Sequence, residues 1–156
     1  MLVEIMCEEF KDHGTPRGRI QLHSGLNTVM GSSSGSNSIG KSTFLMIIDF
    51  VFGGDDYVEK LTDVQTEVGE HRICFAFQFK DGVHYFSRSN VDYKNVQKCD
   101  KDYRPLKDGL ISITQYLSFL QTHYDMDLEG LTFRNAIGRS IRVYKRETLA
   151  EEHPLH

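Results

Sequence analysis

The sequence predicts an α/β fold in which a strand, a glycine-rich loop and a helix are followed by an antiparallel β-meander and C-terminal helices. Three observations predict it. Leu26 to Met30 is a short, partly apolar run that leads into a glycine- and serine-rich stretch. Directly after that stretch, Phe44, Leu45, Ile47, Ile48, Val51 and Phe52 recur at helical spacing. Further on, Ile73, Phe75, Phe77 and Phe79 alternate with Cys74, Ala76 and Gln78, the period-two pattern of a strand.

Taken in order, Leu2 to Phe10 mixes β-branched and apolar residues with acids and reads as a first strand with one wetter face. His13 to Gly18 breaks the chain, and Arg19 to His23 alternates around Ile20 and Leu22 as a second strand, expected to form a hairpin with the first. Ser24-Gly25 turns into the third, Leu26 to Met30. The helix after the loop stops at Gly53-Gly54-Asp55-Asp56, with glycine at its C-terminus. Residues 55–70 read as polar and irregular. The strand His71 to Phe79 turns at Lys80-Asp81-Gly82, with glycine where a positive φ is needed, and returns as Val83 to Arg88; Lys94 to Cys99 extends the meander. Thr114 or Ser112 is a cap for a helix running to about Tyr124, with Tyr116, Leu117, Phe119 and Leu120 on its apolar side. After a polar break at Asp125 to Gly130, a last helix is predicted from about Thr132 to Tyr144. There Arg139, Arg142 and Arg146 share one face, the one basic cluster, and are candidates for DNA or partner contact against the plainer reading of a solvated face.

Length and composition bound the rest. At 156 residues the chain is read as a single domain, 1–156, with a core of its own. An apolar content of 39%, with ten Phe and seven Tyr, excludes a disordered chain. A net charge of -4 excludes a chain that is basic overall, though not a local basic surface. No run approaches the roughly 20 apolar residues that span a bilayer, and the acidic start MLVEIMCEEFKDHG lacks the features of a signal peptide. A cytoplasmic location with no membrane partner is expected. Cys7, Cys74 and Cys99 lack metal-ligand spacing and read as reduced, buried or partly buried thiols. The seven histidines form no motif, so neither a metal centre nor a catalytic histidine is expected from them.

The chemistry lies in the glycine-rich stretch. Gly35, Gly40, Lys41 and Ser42 satisfy G-x-x-x-x-G-K-[ST], the Walker A pattern, in which successive backbone N–H groups wrap a triphosphate. The candidate nucleotide-binding residues are Gly35, Ser36, Asn37, Ser38, Ile39, Gly40, Lys41, Ser42 and Thr43. A helix beginning near Lys41 would point its positive end at the phosphates. Lys41 would reach the β- and γ-phosphates of ATP, and the Ser42 hydroxyl would ligate Mg²⁺. Gly31-Ser32-Ser33-Ser34 lengthens the junction between strand and loop without touching the motif residues.

The order of these elements resembles the N-terminal lobe of SMC-like ATPases, the ABC-type P-loop NTPase heads of the structural-maintenance-of-chromosomes, RecN and SbcC kind. Gly35-x-Asn37-x-x-Gly40-Lys41-Ser42-Thr43 matches their GxNxxGKST. The narrower resemblance is to a bacterial family of SMC-like ATPases with a lengthened loop, NSIGKS, a "DF.FGG" helix end and a later "FRN.IGR.IR" segment, here Phe133 to Arg142. It implies a fragment of a longer chain whose partners are the C-terminal lobe of the same protein and a second head, forming a homodimer on nucleotide binding. Walker B, the ABC signature and the switch histidine of such heads lie beyond a coiled coil and do not occur in residues 1–156; the acid of Leu45 to Asp49 falls inside the Walker helix. The resemblance also implies a glutamine that touches Mg²⁺ and the attacking water, and Gln115 sits in about that place. Arg17 and Arg19 stand where such heads often bring a basic residue to the nucleotide.

The leading expectation is therefore an ATP- and Mg²⁺-binding half-head of an ATPase of DNA repair, maintenance or defence, inactive by itself. A non-catalytic, nucleotide-gated interaction module is the alternative. A stand-alone P-loop kinase or GTPase is the third class, and it lacks both an N-K-x-D base reader and its own acidic metal ligand at a strand end.

Overall fold

Alternation in the second half of the chain builds most of the sheet. The computed structural model describes residues 1–9, 11–12, 15–16, 18–22 and 38–124, of which 11–12, 15–16 and 38–42 are described as backbone alone. They form β1 (Leu2–Met6), β2 (Lys11–Asp12), β3 (Thr15–Pro16), β4 (Arg19–Gln21), α1 (Ser38–Val51), α2 (Asp56–Lys60), α3 (Thr62–Val68), β5 (Arg72–Phe79), β6 (Gly82–Ser89), β7 (Asn95–Cys99), β8 (Pro105–Ser112) and α4 (Ile113–His123). This is an α/β arrangement with a six-stranded sheet in the order β4-β1-β5-β6-β7-β8, antiparallel at every pairing. No described helix is long and apolar enough to cross a membrane.

The expected hairpin of the first two strands is present as β1 paired with β4, Ile5 opposite Ile20, with the β2–β3 ribbon between them in sequence. The turn at Lys80-Asp81 pairs Phe79 with Gly82, whose φ of 126° is the positive value read from the sequence. The predicted strand Leu26 to Met30, the insertion at Gly31 to Ser34 and the predicted helix beyond Gly130 lie outside the described residues.

One expectation is corrected, and two features appear that the sequence did not announce. Residues 55–70 are not irregular, because α2 and α3 carry Tyr57 into the core, where its hydroxyl meets His71 Nε2 at 2.7 Å. The strand β8 was not foreseen. It lacks alternation, opens on Pro105 and contains Asp108 at φ 56°, and as an edge strand it needs only one partner, β7. Finally, β5 is covered on both faces. Ile73, Phe75 and Phe77 pack with α1 and α4 in the main core, while Cys74 on the other face packs with Cys99, Tyr103, Met6 and Tyr85. Small residues on the second face disguise its burial, since Cys74 and Ala76 look as compatible with water as with a thin second layer. All three cysteines are buried thiols, as expected.

Candidate functional site

The helix α1 begins at Ser38, three positions before the expected start at Lys41, and runs for 14 residues. Its first four N–H groups, on Ser38, Ile39, Gly40 and Lys41, are those a helix leaves without intrahelical acceptors, and its first turn contains no acid. An N-terminus of this kind is suited to an anion. Gly35, Ser36 and Asn37 lie outside the described residues, as do the side chains of Ser38, Lys41 and Ser42, while Thr43 is partly buried.

The opposite end of α1 is fastened by the protein. Gly54 N–H donates to Asp49 O at 2.9 Å and Gly53 N–H to Phe50 O at 3.1 Å, with Gly53 at φ 95°, which is a Schellman motif. Phe52 N–H reaches Ile48 O at 3.1 Å, and the Tyr116 hydroxyl donates to Val51 O at 2.7 Å. The last four carbonyls of the helix therefore all have partners. Arg88, 1% exposed, adds charged donors to Phe50 O at 2.7 Å, Gly54 O at 2.8 Å and Tyr93 O at 2.8 Å, and pairs with Asp55 at 3.1 Å. A cation here complements the negative end of the helix dipole. Apolar packing completes the mounting, because Ile47, Phe50 and Val51 are buried in the core that β5 and α4 share.

The remaining sequence candidates are distributed. Gln115 is exposed at the start of α4, where its Oε1 accepts from Ser112 N–H at 2.9 Å and Ser112 Oγ accepts from Gln115 N–H at 3.1 Å, a complete capping box. Arg19 lies by Glu4 at 3.4 Å and over the ring of Tyr103 at 5.2 Å. Glu4 is the hub there, since Gln21 donates to it at 2.7 Å and the Tyr103 hydroxyl also donates to it. Asp55 and Asp56 are engaged by Arg88, Lys94 and Lys60. The ion pair with Asp55 raises the Lys94 pKa. Arg17, Arg139, Arg142 and Arg146 lie outside the described residues.

Two further features were not legible in the sequence. A cleft of about 270 Å³ is lined by Glu8, Glu9, Glu70 and Asp102, with Arg72 beside them, a charge balance unsuited to a polyphosphate. Separately, Asp81, His84 and His123 converge where the β5–β6 turn meets the end of α4. His123 and Asp81 are 42 positions apart, which is why no motif announced them. Compared with protein-family models, curated proteins and solved structures, the chain matches none of them.

Proposed function

We propose that the chain is the ATP- and Mg²⁺-binding N-terminal lobe of an SMC-like ATPase head. The observation that carries this reading is that the Walker A residues Gly40, Lys41 and Ser42 fall in the first turns of α1, at the end where a helix leaves its N–H groups without intrahelical acceptors. Two further features support it: the far end of the helix is held rigidly by Arg88 and the glycines, and an antiparallel meander follows, as in the lobe the chain resembles. In this reading Gly35 to Thr43 cradle the phosphates, Lys41 places a charge on the β- and γ-phosphates, and Ser42 ligates Mg²⁺. Hydrolysis would await groups from the C-terminal lobe and from a second head, because a cradle alone neither orients the attacking water nor neutralises the γ-phosphate fully. DNA repair, maintenance or defence is the setting that the resemblance suggests for the complete protein.

Ligand-linked stability tests the reading. Mg–ATP at about 100 times its dissociation constant should stabilise the wild-type chain by about 2.7 kcal/mol and raise its melting temperature accordingly. Lys41→Ala should reduce that stabilisation to about 1.4 kcal/mol or less at the same ATP concentration, while leaving the unliganded melting temperature in place. An equal rise in wild type and variant would remove the assignment.

A further inference from the structure

His71 and His123 make the same contact through one ring nitrogen and opposite contacts through the other. In each ring Nδ1 faces a backbone carbonyl, Gly69 O at 2.7 Å for His71 and Phe119 O at 2.9 Å for His123. A carbonyl only accepts, so Nδ1 carries the proton, and in the neutral ring Nε2 presents a lone pair. At His71 that lone pair meets a donor, the Tyr57 hydroxyl. At His123 it meets Asp81 Oδ2 at 3.2 Å, which is a second acceptor. Either a second ring proton or a cation has to join these two atoms. Asp81 Oδ1 meets His84 Nε2 at 2.9 Å, and the two imidazole rings are 5.2 Å apart.

We infer that Asp81, His84 and His123 form a binding site for a divalent transition-metal ion of the Zn²⁺ class, tying the β5–β6 turn to the last turn of α4. A dication answers all three groups at once, since one carboxylate and two neutral imidazoles converge on it. The alternative is a second proton on His123, which satisfies one contact and sets an imidazolium beside the His84 ring. The ligand atoms lie within 4.8 Å of one another. Tetrahedral bonds of about 2.0 Å would bring them to about 3.3 Å apart, a shift within the reach of imidazole rotations. Two imidazoles and one carboxylate select Zn²⁺, Co²⁺, Ni²⁺ or Cu²⁺ over Mg²⁺ or Ca²⁺. The bond from Nδ1–H to Phe119 O is the outer contact that fixes a ligating histidine in its tautomer. Phe119 and Phe79 hold the His123 ring at centroid distances of 3.9 and 4.9 Å, while Asp81, with its side chain 55% exposed, keeps the site open to solvent.

The experiment uses the untagged full chain, stripped with a chelator and titrated with Zn²⁺ by calorimetry and with Co²⁺ by visible absorption. One ion per chain is expected, with the Co²⁺ bands and a raised melting temperature appearing together. His84→Ala and His123→Ala should each weaken binding by at least about tenfold, and Asp81→Asn should also weaken it. Should His123→Ala fail to fold, His84→Ala and Asp81→Asn at the exposed turn carry the test. Lys41→Ala should bind Zn²⁺ normally, which separates this site from the nucleotide site. Zn²⁺ binding unaltered in the His84 and Asp81 variants, or no saturable binding at all, would overturn the proposal and leave a protonated His–Asp–His network.

Discussion

Arg88 Nη1 donates to the carbonyl of Phe50 at 2.7 Å while the guanidinium carbon lies 4.1 Å from the centre of the Phe50 ring. One residue at the end of α1 thus receives a charged hydrogen bond and a cation–π contact from β6. The link couples the sheet to the helix that carries the Walker residues, at the end away from them. A phosphate cradle needs that rigidity, because its donors must already be aimed when the ligand arrives.

Arg88→Ala is therefore expected to be among the most destabilising single changes. It leaves carbonyls of Phe50, Gly54 and Tyr93 without their charged donor and removes one of the two cations paired with Asp55, Lys94 remaining. A loss of about 3 kcal/mol or more is expected in urea unfolding. A loss below 1 kcal/mol would mean that water replaces the guanidinium at little cost.

The start of α4 separates structure from chemistry at Gln115. Ser112→Ala should cost about 1 kcal/mol through the lost cap. Gln115→Glu keeps a side chain able to close the capping box and should leave stability within about 0.5 kcal/mol of wild type. If Gln115 also serves the nucleotide in the complete head, the same variant should lower turnover there. Normal turnover would restrict Gln115 to capping.

Burial pushes the Cys74 thiol up to about 12 from 9.0, desolvation being the main cause. The folded state keeps this proton where the unfolded state releases it, so the contribution is complete below pH 9 and is lost as pH rises towards 12. Cys74→Ala should accordingly lose less stability than wild type between pH 8 and pH 11, measured as urea midpoints. Parallel pH profiles would contradict the buried thiol.

Outside the described residues, Arg139, Arg142 and Arg146 form the basic cluster of the sequence. Reversing their charge should weaken DNA binding by the complete protein and flatten its salt dependence. Binding unaltered at every salt concentration would make the cluster a solvated face.

What the sequence made legible was the structure whose causes are local. Alternation from Ile73 to Phe79, the glycine at position 82, the helix stop at Gly53 and the Ser112 cap all rest on neighbouring residues, and all stand in the structure. What it hid depends on distant partners. Tyr57 turns inward because His71 receives its hydroxyl, β8 exists because β7 offers it an edge, and Arg88 is buried because the end of α1 supplies carbonyls. Asp81, His84 and His123 belong to the same class, since only the packing of α4 on the β5–β6 hairpin brings them together.

Calorimetric titration of the chain with ATP in the presence of Mg²⁺ is the sharpest probe of a nucleotide cradle at the start of α1. Saturable binding at one ATP per chain is predicted. Affinity should fall by at least about tenfold in Lys41→Ala, where a charge on the β- and γ-phosphates is lost, and should fall again when Mg²⁺ is withdrawn. GTP should compete almost as well, since no base-reading motif is present in residues 1–156. Undiminished binding to a folded Lys41→Ala chain, or no ATP binding by the wild type, would rule out a phosphate cradle at Lys41.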